Sequence, residues 1–476
     1  MTALVLAMSV AATPSYADRI PLRTAFHVHT TFSDGSHSLD ELASRASQED
    51  IDVIILSDHF QTRIEYGPPL FRKALAVSAD SASLGPHDLS AYVEAAAEAE
   101  RQSGVIVIPG VEITPFYYWE GNPVSQDLTL NSAHRHLLVL FPDTPDIASL
   151  GPLLQRMSAP GIEEFGLGSL LLIWPLLPGV WAIHRLLHDK RSLVLWLVAA
   201  GSVGALARSW PYRVPRHSPY ANDAGAAPYQ DALDASRPTA TLTFWAHPEA
   251  SAVFQHSRYP VTYRSEKYPE LIYQTHGATG FAALYEGHRQ TGGVGGAWDR
   301  ALNQFSLERR QKPLWTVGEL DLHEEGESGG KFLGQVETII LAKERSRRAV
   351  MDALREGAMY AVLQPGAGRL TLERFRAVCD QDAVNMGQRA TVTSPCRIEA
   401  ILCARGEPLG KVATTLVSNG EVVDERTIDI DEDGVVLTWD ADVAPGRISY
   451  FRLMARRGNN LSLFSNPVFL AEGERP

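Results

Sequence analysis

His27 and His29 stand two residues apart in "FHVHTTFSDGSHSLDEL", which begins at Phe26 and runs on through Ser33-Asp34-Gly35. Alternate residues of a strand face the same way, and neutral imidazole is the commonest metal ligand near neutral pH. One such pair is equally at home as a satisfied core feature, but the pattern recurs. "IDVIILSDHF" runs to Asp58-His59, "VIVIPGVEIT" reaches Glu112, and "HRHLLVLFPD" opens with His134 and His136. "ATLTFWAHPEA" closes on His247, and "PLWTVGELDLHEEG" on Asp321 and His323. Histidines and carboxylates repeatedly placed at strand edges would be costly to bury as an unpaired cluster. A multinuclear metal site explains their convergence, and imidazole with carboxylate suits zinc, manganese or iron without choosing among them. His87, His184, His188, His217, His256 and His288 have no such setting and read as structural or exposed.

The elements that must position these groups alternate. The apolar runs before His59 and Glu112 are continuous, as in strands buried on both faces. Between them, "SLDELASRASQED" offers Ser38 as an N-cap with Glu41 three residues on, a capping box. "DLSAYVEAAAEAERQSG" is a helix closing on Gly104. Strand, helix, strand with polar groups at strand ends is the grammar of a parallel α/β barrel, whose functional residues gather at one end.

At 476 residues there is room for a large catalytic domain and a smaller one. Lys and Arg number 43 against 56 Asp and Glu, a net charge of −13. That sign argues against long nucleic acid as a partner, because phosphate affinity rests on basic residues. Cys379, Cys396 and Cys403 are too few for a disulfide scaffold and lack zinc-ribbon spacing. Two arrangements stay open: one bridge involving Cys379, or three buried thiols.

Two segments address membranes. Residues 1–17 combine an apolar run with small residues before Ala17, as a signal peptide does, although no basic residue precedes the run; a loosely docked arm is the alternative. "FGLGSLLLIWPLLPGVWAI" (Phe165 to Ile183) and "SLVLWLVAAGSVGALA" (Ser192 to Ala207) are uncharged and flank the basic loop "HRLLHDKR". The first nearly matches a bilayer core, while the second reaches only about 24 Å. Pro175 and Pro178 would kink the first. The segment 165–207 reads as a membrane hairpin with its basic turn towards the cytoplasm, or as an apolar hairpin buried within the protein.

In their order, "HVHTTFSDG", "DVIILSDH", "GVEIT", "HLLVL", "AHP" and "DLH" resemble the PHP family, named for polymerase and histidinol phosphatase. The resemblance covers roughly Arg19 to Leu363 and implies a distorted (β/α)7 barrel holding two or three divalent ions. It implies His27, His29, Glu112 and Asp321 as one site, with Glu112 bridging to a second completed by His136 and His247. Asp34, His59 and His323 resemble the third site, and His134 is the fallback for His136. "GELDLH" and the 165–207 insertion depart from the common pattern. Arg63 and His276 are candidate phosphate contacts by position.

After residue 364 the grammar changes to short strand-like runs between turns, with Ser418-Asn419-Gly420 as a hairpin signal. An immunoglobulin-like β-sandwich over 365–476 follows, behind barrel parts at 18–164 and 208–364. The expected function is a membrane-attached phosphoesterase acting on a small phosphorylated substrate on the periplasmic or cell-surface side. Metal-activated hydroxide is its reagent. A nuclease or nucleotidase, a metal-dependent amidohydrolase and a non-catalytic sensor or adhesion module are the alternatives.

Overall fold

The computed structural model describes residues 19–473, apart from positions 62, 69–71, 189, 256–259, 327–330, 365, 367, 381 and 459. The signal-peptide reading of 1–17, like the reading of His256, lies outside the described residues. The chain divides into two compact units, one of residues 24–338 and one of residues 339 onward with the described residues 19–23.

Strand β1 (Ile20–Val28), of which residues 24–28 belong to the first unit, leads to helix α1 (Leu39–Gln48), then β2 (Val53–Leu56) and β3 (Asp58–His59). Helix α2 (Leu89–Ser103), β4 (Ile106–Ile108), β5 (Gly110–Ile113), β6 (Leu137–Leu140) and α3 (Ile147–Met157) follow. The apolar segment supplies α4 (Leu176–Leu186) and α5 (Leu193–Ser209), and α6 (Ala227–Ser236), β7 (Leu242–Trp245) and α7 (Pro269–Gln274) come after it. The unit closes with β8 (Gly280–Leu284), α8 (Ala297–Ser306) and β9 (Trp315–Gly318).

The helix signals act as their chemistry requires. Glu41 N–H donates to Ser38 Oγ while Ser38 N–H donates to Glu41 Oε2, so α1 begins on a capping box. Helix α2 ends on Gly104 at φ 74°, where a side chain would be strained.

Strands β1, β2 and β4 pair in parallel, and a second sheet runs β9-β8-β7-β6-β5-β3. Ser57 alone separates β2 from β3 and Pro109 alone separates β4 from β5, so two segments pass from one sheet into the other. Leu320 N–H donates to Phe26 O at 2.8 Å, and His29 N–H to Leu322 O at 2.9 Å. These bonds join the end of β1 to the segment after β9. Every residue of β2, β5, β6, β7, β8 and β9 is buried, which is why these runs carry no alternation.

One strand departs from the parallel reading. β6 is antiparallel to both β5 and β7, with Leu137 opposite Ile113 and Trp245. Its N-terminal end therefore shares an edge with the C-terminal ends of its neighbours. Apolar periodicity carries no direction, so the reversal is invisible in the sequence except through one sign: His136 precedes its strand where His59 and His247 end or follow theirs.

The first apolar run is not one helix. A 3-10 turn (Leu167–Leu172) precedes Pro175, and α4 starts behind it; a proline inside would remove a helix hydrogen bond. Together Leu167–Leu186 is long and apolar enough to cross a membrane, and α5 is shorter. Small residues stand where they approach: a Cβ on Gly179 would lie 3.0 Å from Ser202 Cβ, and Ala182 and Ala199 are buried, with Leu186, Leu195 and Val198 packed alongside. Leu177, Trp181, Leu193, Trp196 and Val203 point outward and are exposed.

In the second unit, helix Arg347–Glu356 is capped by Ser346 and by Gly357. This helix and the strand Met359–Leu363 group with the C-terminal strands. One sheet orders Asp382–Asn385, Gly368–Cys379, Cys396–Gly406 and Val435–Ala441. In the other strand set, Ile448–Arg457 pairs with Gly410–Ser418, Asn460–Ser465 and Val468–Glu472. Asn419 and Gly420, both at positive φ, form the two-residue turn between Gly410–Ser418 and Glu421–Ile430. Cys379 and Cys396 sit opposite each other on paired strands and form a disulfide; Cys403 is a buried thiol.

Candidate metal centre

His27 sits in a distortion of β1, not on regular strand. The β1–β2 register shifts between Phe26 and Val28, and His27 has φ 70°. His247 (φ 27°) and Asp321 (φ 51°) share that left-handed region. Such conformations cost on the order of 1–3 kcal/mol for residues with a side chain, and they cluster at functional sites. After His29, the chain folds back so tightly that a Cβ on Gly35 would lie 2.5 Å from the His29 carbonyl oxygen. That turn brings Asp34 beside the imidazoles.

Three ligand groups result, in each of which the donor atoms lie within 4.8 Å of one another: His27, His29, Glu112 and Asp321; Glu112, His136 and His247; His29, Asp34, His59 and His323. In the first, His27 Nε2 lies 3.4 Å from both Glu112 Oε1 and Asp321 Oδ1, and His29 Nε2 lies 3.5 Å from Glu112 Oε2. In the second, Glu112 Oε1 is 2.7 Å from His136 Nδ1 and 3.2 Å from His247 Nε2. In the third, Asp34 Oδ2 is 3.5 Å from both His59 Nε2 and His323 Nε2, and Asp34 Oδ1 is 3.3 Å from His29 Nδ1. All nine residues singled out as ligands are thus brought together. His29 belongs to two groups, where the resemblance implied one.

Two carboxylates were not foreseen. Buried Glu319 accepts from His27 Nδ1 at 2.8 Å and also receives the His247 N–H. Carboxylates in this position fix the ring and raise its basicity. Buried Asp58 accepts from Thr30 N–H at 2.8 Å and Ser33 Oγ at 2.7 Å, pinning the loop that carries Asp34. Both lie within quoted motifs, Glu319 in "GELDLH" and Asp58 beside His59, so position along the strand was the available signal.

The charges fit cations. His27 Nε2 and His29 Nε2 face each other at 3.1 Å, fully buried, against two carboxylates. Divalent ions would neutralise such acids and satisfy both nitrogens at once. Burial pushes His29 down to about 4, ready as a neutral ligand. Burial also opposes charge on His247, yet the Glu112 hydrogen bond and the Asp321, Glu112 and Glu319 charges drive it up to about 9. Burial raises the carboxyls of Glu112, Asp34 and Asp321, but the imidazoles around them hold all three well below the usual carboxylate range.

A cavity of about 410 Å³ opens onto the ligands, with His134, Ser251, Ser265 and Glu286 in its wall. His134 lines it without joining any of the three groups, and burial lowers its pKa to about 4. Neither candidate phosphate contact is brought there. Arg63 pairs with Glu65 at 2.8 Å and lines a separate cleft with Lys73 and Arg208. His276 is exposed ahead of β8, where its backbone bonds Gln230. A cation that does reach the ligands is Lys331, whose Nζ lies 3.5 Å from Asp321 Oδ2 and donates to Asp321 O at 2.9 Å.

Residues 25–150 match the sequence model of the PHP domain. Among curated proteins none matches. A solved structure from Bacteroides vulgatus, a two-domain protein containing a predicted PHP-like metal-dependent phosphoesterase, is 14% identical. The match covers 92% of each chain, with a TM-score of 0.36. One from Bifidobacterium adolescentis, described as a proposed metal-dependent phosphoesterase, is 14% identical over 66% of this chain and 91% of its own, with a TM-score of 0.29. An amidohydrolase from Chromobacterium violaceum, with bound sulfate and no metal, is 19% identical over 64% and 89%, with a TM-score of 0.27.

Proposed function

From the match of residues 25–150 to the PHP domain, we propose that this chain is a metal-dependent hydrolase, and specifically a phosphoesterase. One observation carries the reading: His29 and Glu112 are each shared between neighbouring ligand groups, so ions held there would sit side by side. Adjacent divalent ions lower the pKa of bound water and offset the charge of a phosphoryl group.

The chain's own residues do the rest. Glu319 orients His27, and Asp58 holds the Asp34 loop. The Ser251 and Ser265 side of the cavity gives a polar wall to the non-reacting oxygens of a small ester. Lys331 adds positive charge beside Asp321, where a phosphate would bring negative charge. The bonds from β1 to the segment after β9 support a distorted barrel of seven strand segments. The two strand sets of the C-terminal unit support a sandwich.

We place the enzyme outside the cytoplasm and attached to a membrane. The Cys379–Cys396 bridge supports an oxidising compartment. The hairpin supports attachment, because Gly179, Ala182, Ala199 and Ser202 face inward while Leu177, Trp181, Leu193 and Trp196 face outward. Packing on small residues is the habit of helices in lipid.

The test is hydrolysis by metal-loaded protein of a panel of phosphomonoesters and diesters. Activity on at least one ester, abolished by a chelator and restored by metal, is expected. Inertness across the panel overturns the phosphoesterase reading, and cleavage of amides instead would select the amidohydrolase alternative. Comparing a mononucleotide with single-stranded DNA separates nuclease from small-ester chemistry.

A further inference from the structure

The strands Ala252–Gln255 and Thr262–Ser265 form an antiparallel pair beside the ligand groups, with Ala252 opposite Ser265 and Phe254 opposite Tyr263. Ala252 and Ser265 line the metal cavity. Residues two apart on a strand share a face, so Phe254 and Tyr263 continue that same face outward from the cavity. Their rings stack at 4.9 Å with planes only 5° apart, and Phe254 also meets the cavity residue His134 at 6.3 Å. Tyr263 is anchored beneath, packed with the cluster of Tyr117, Trp119, Leu128 and Leu130. Phe254 remains 47% exposed, a large apolar ring left in water at the mouth of a polar cavity.

We propose that Phe254, braced by Tyr263, is a stacking platform that selects phosphate esters carrying a planar aromatic group. A strand edge could leave a phenyl ring exposed by accident. Here the ring is instead held flat by a partner, on the face that runs into the cavity. An ester whose phosphoryl group enters the ligand groups would lay its leaving group along this face. The available side of Phe254 then gains an offset-stacked contact that an aliphatic group cannot match. This rests on the phosphoesterase reading, and the two fail differently.

The test is calorimetric binding of phenylphosphonate and methylphosphonate to metal-loaded protein, with Phe254→Ala and Phe254→Trp. The unaltered chain should bind the phenyl compound about tenfold more tightly, the worth of one aromatic contact. Phe254→Ala should lose that preference while keeping its methylphosphonate affinity, and Phe254→Trp should restore it. Equal affinities in the unaltered chain, or an unchanged preference in Phe254→Ala, overturn the platform while leaving the phosphoesterase reading in place. If neither phosphonate binds the metal-loaded protein, both fall.

Discussion

Glu112 belongs to two ligand groups and Asp34 to one, so their loss should differ in kind. Glu112→Ala is expected to remove metal from both groups it serves. Asp34→Asn should weaken only the group of His29, His59 and His323, and titration of metal-free variants would show two stoichiometries. Glu319 touches His27, so Glu319→Gln should keep the sites and cost about ten- to a hundredfold in metal affinity. Proton release on metal binding offers a further check. His247 is raised to about 9 in the metal-free chain and carries a proton at pH 7. A group raised above its unfolded value of about 6.5 contributes stability that is full below that pH and is lost as pH climbs through its folded pKa. Metal must displace that proton, so binding at pH 7 should release protons and tighten as pH rises. Calorimetry in buffers of different ionisation enthalpy reads this directly, and binding without proton release would contradict it. The ligand types were legible because each sits where an apolar run meets polar residues. Glu319 and Asp58 were not, since a carboxylate that orients a ligand looks in sequence like any other acid. Arg63 and His276 were misplaced because nearness in sequence to His59, or to a strand, does not say which end of the fold a side chain reaches.

Among the elements, the turn after His29 bears most on the centre. Gly35→Ala places a methyl 2.5 Å from a backbone carbonyl, so the Asp34 loop must move. We expect a loss of roughly 1–3 kcal/mol in urea unfolding, with weakened binding at the Asp34 group. In the C-terminal unit, replacing both Cys379 and Cys396 by Ser opens a loop of sequence separation 17 and should cost about 3 kcal/mol. No change in the denaturation midpoint would count against the bridge. The capping box at Ser38 and the glycine end of α2 could be read from sequence, since each has a local cause. The direction of β6 could not, because burial on both faces erases the pattern that would orient it. The break before α4 followed from Pro175, but its sharpness, a 3-10 turn rather than a kink, depends on packing.

For the whole molecule, the net charge of −13 and an outward-facing apolar hairpin combine in one chain. On the membrane reading, the full chain should float with vesicles, and deletion of residues 165–207 should release it while leaving metal content unaltered. Flotation unaffected by the deletion would contradict that reading. The change from alternating strand and helix to strand and turn was legible in the sequence, whereas the helix Arg347–Glu356 reads alike on either side of it. The most direct test of the central claim is elemental analysis of protein purified without added metal or a His-tag. Two or three equivalents of zinc, manganese or iron, with those held through Glu112 lost in Glu112→Ala while the fold survives, is the predicted result. A correctly folded chain that holds no divalent metal even after reconstitution would contradict it.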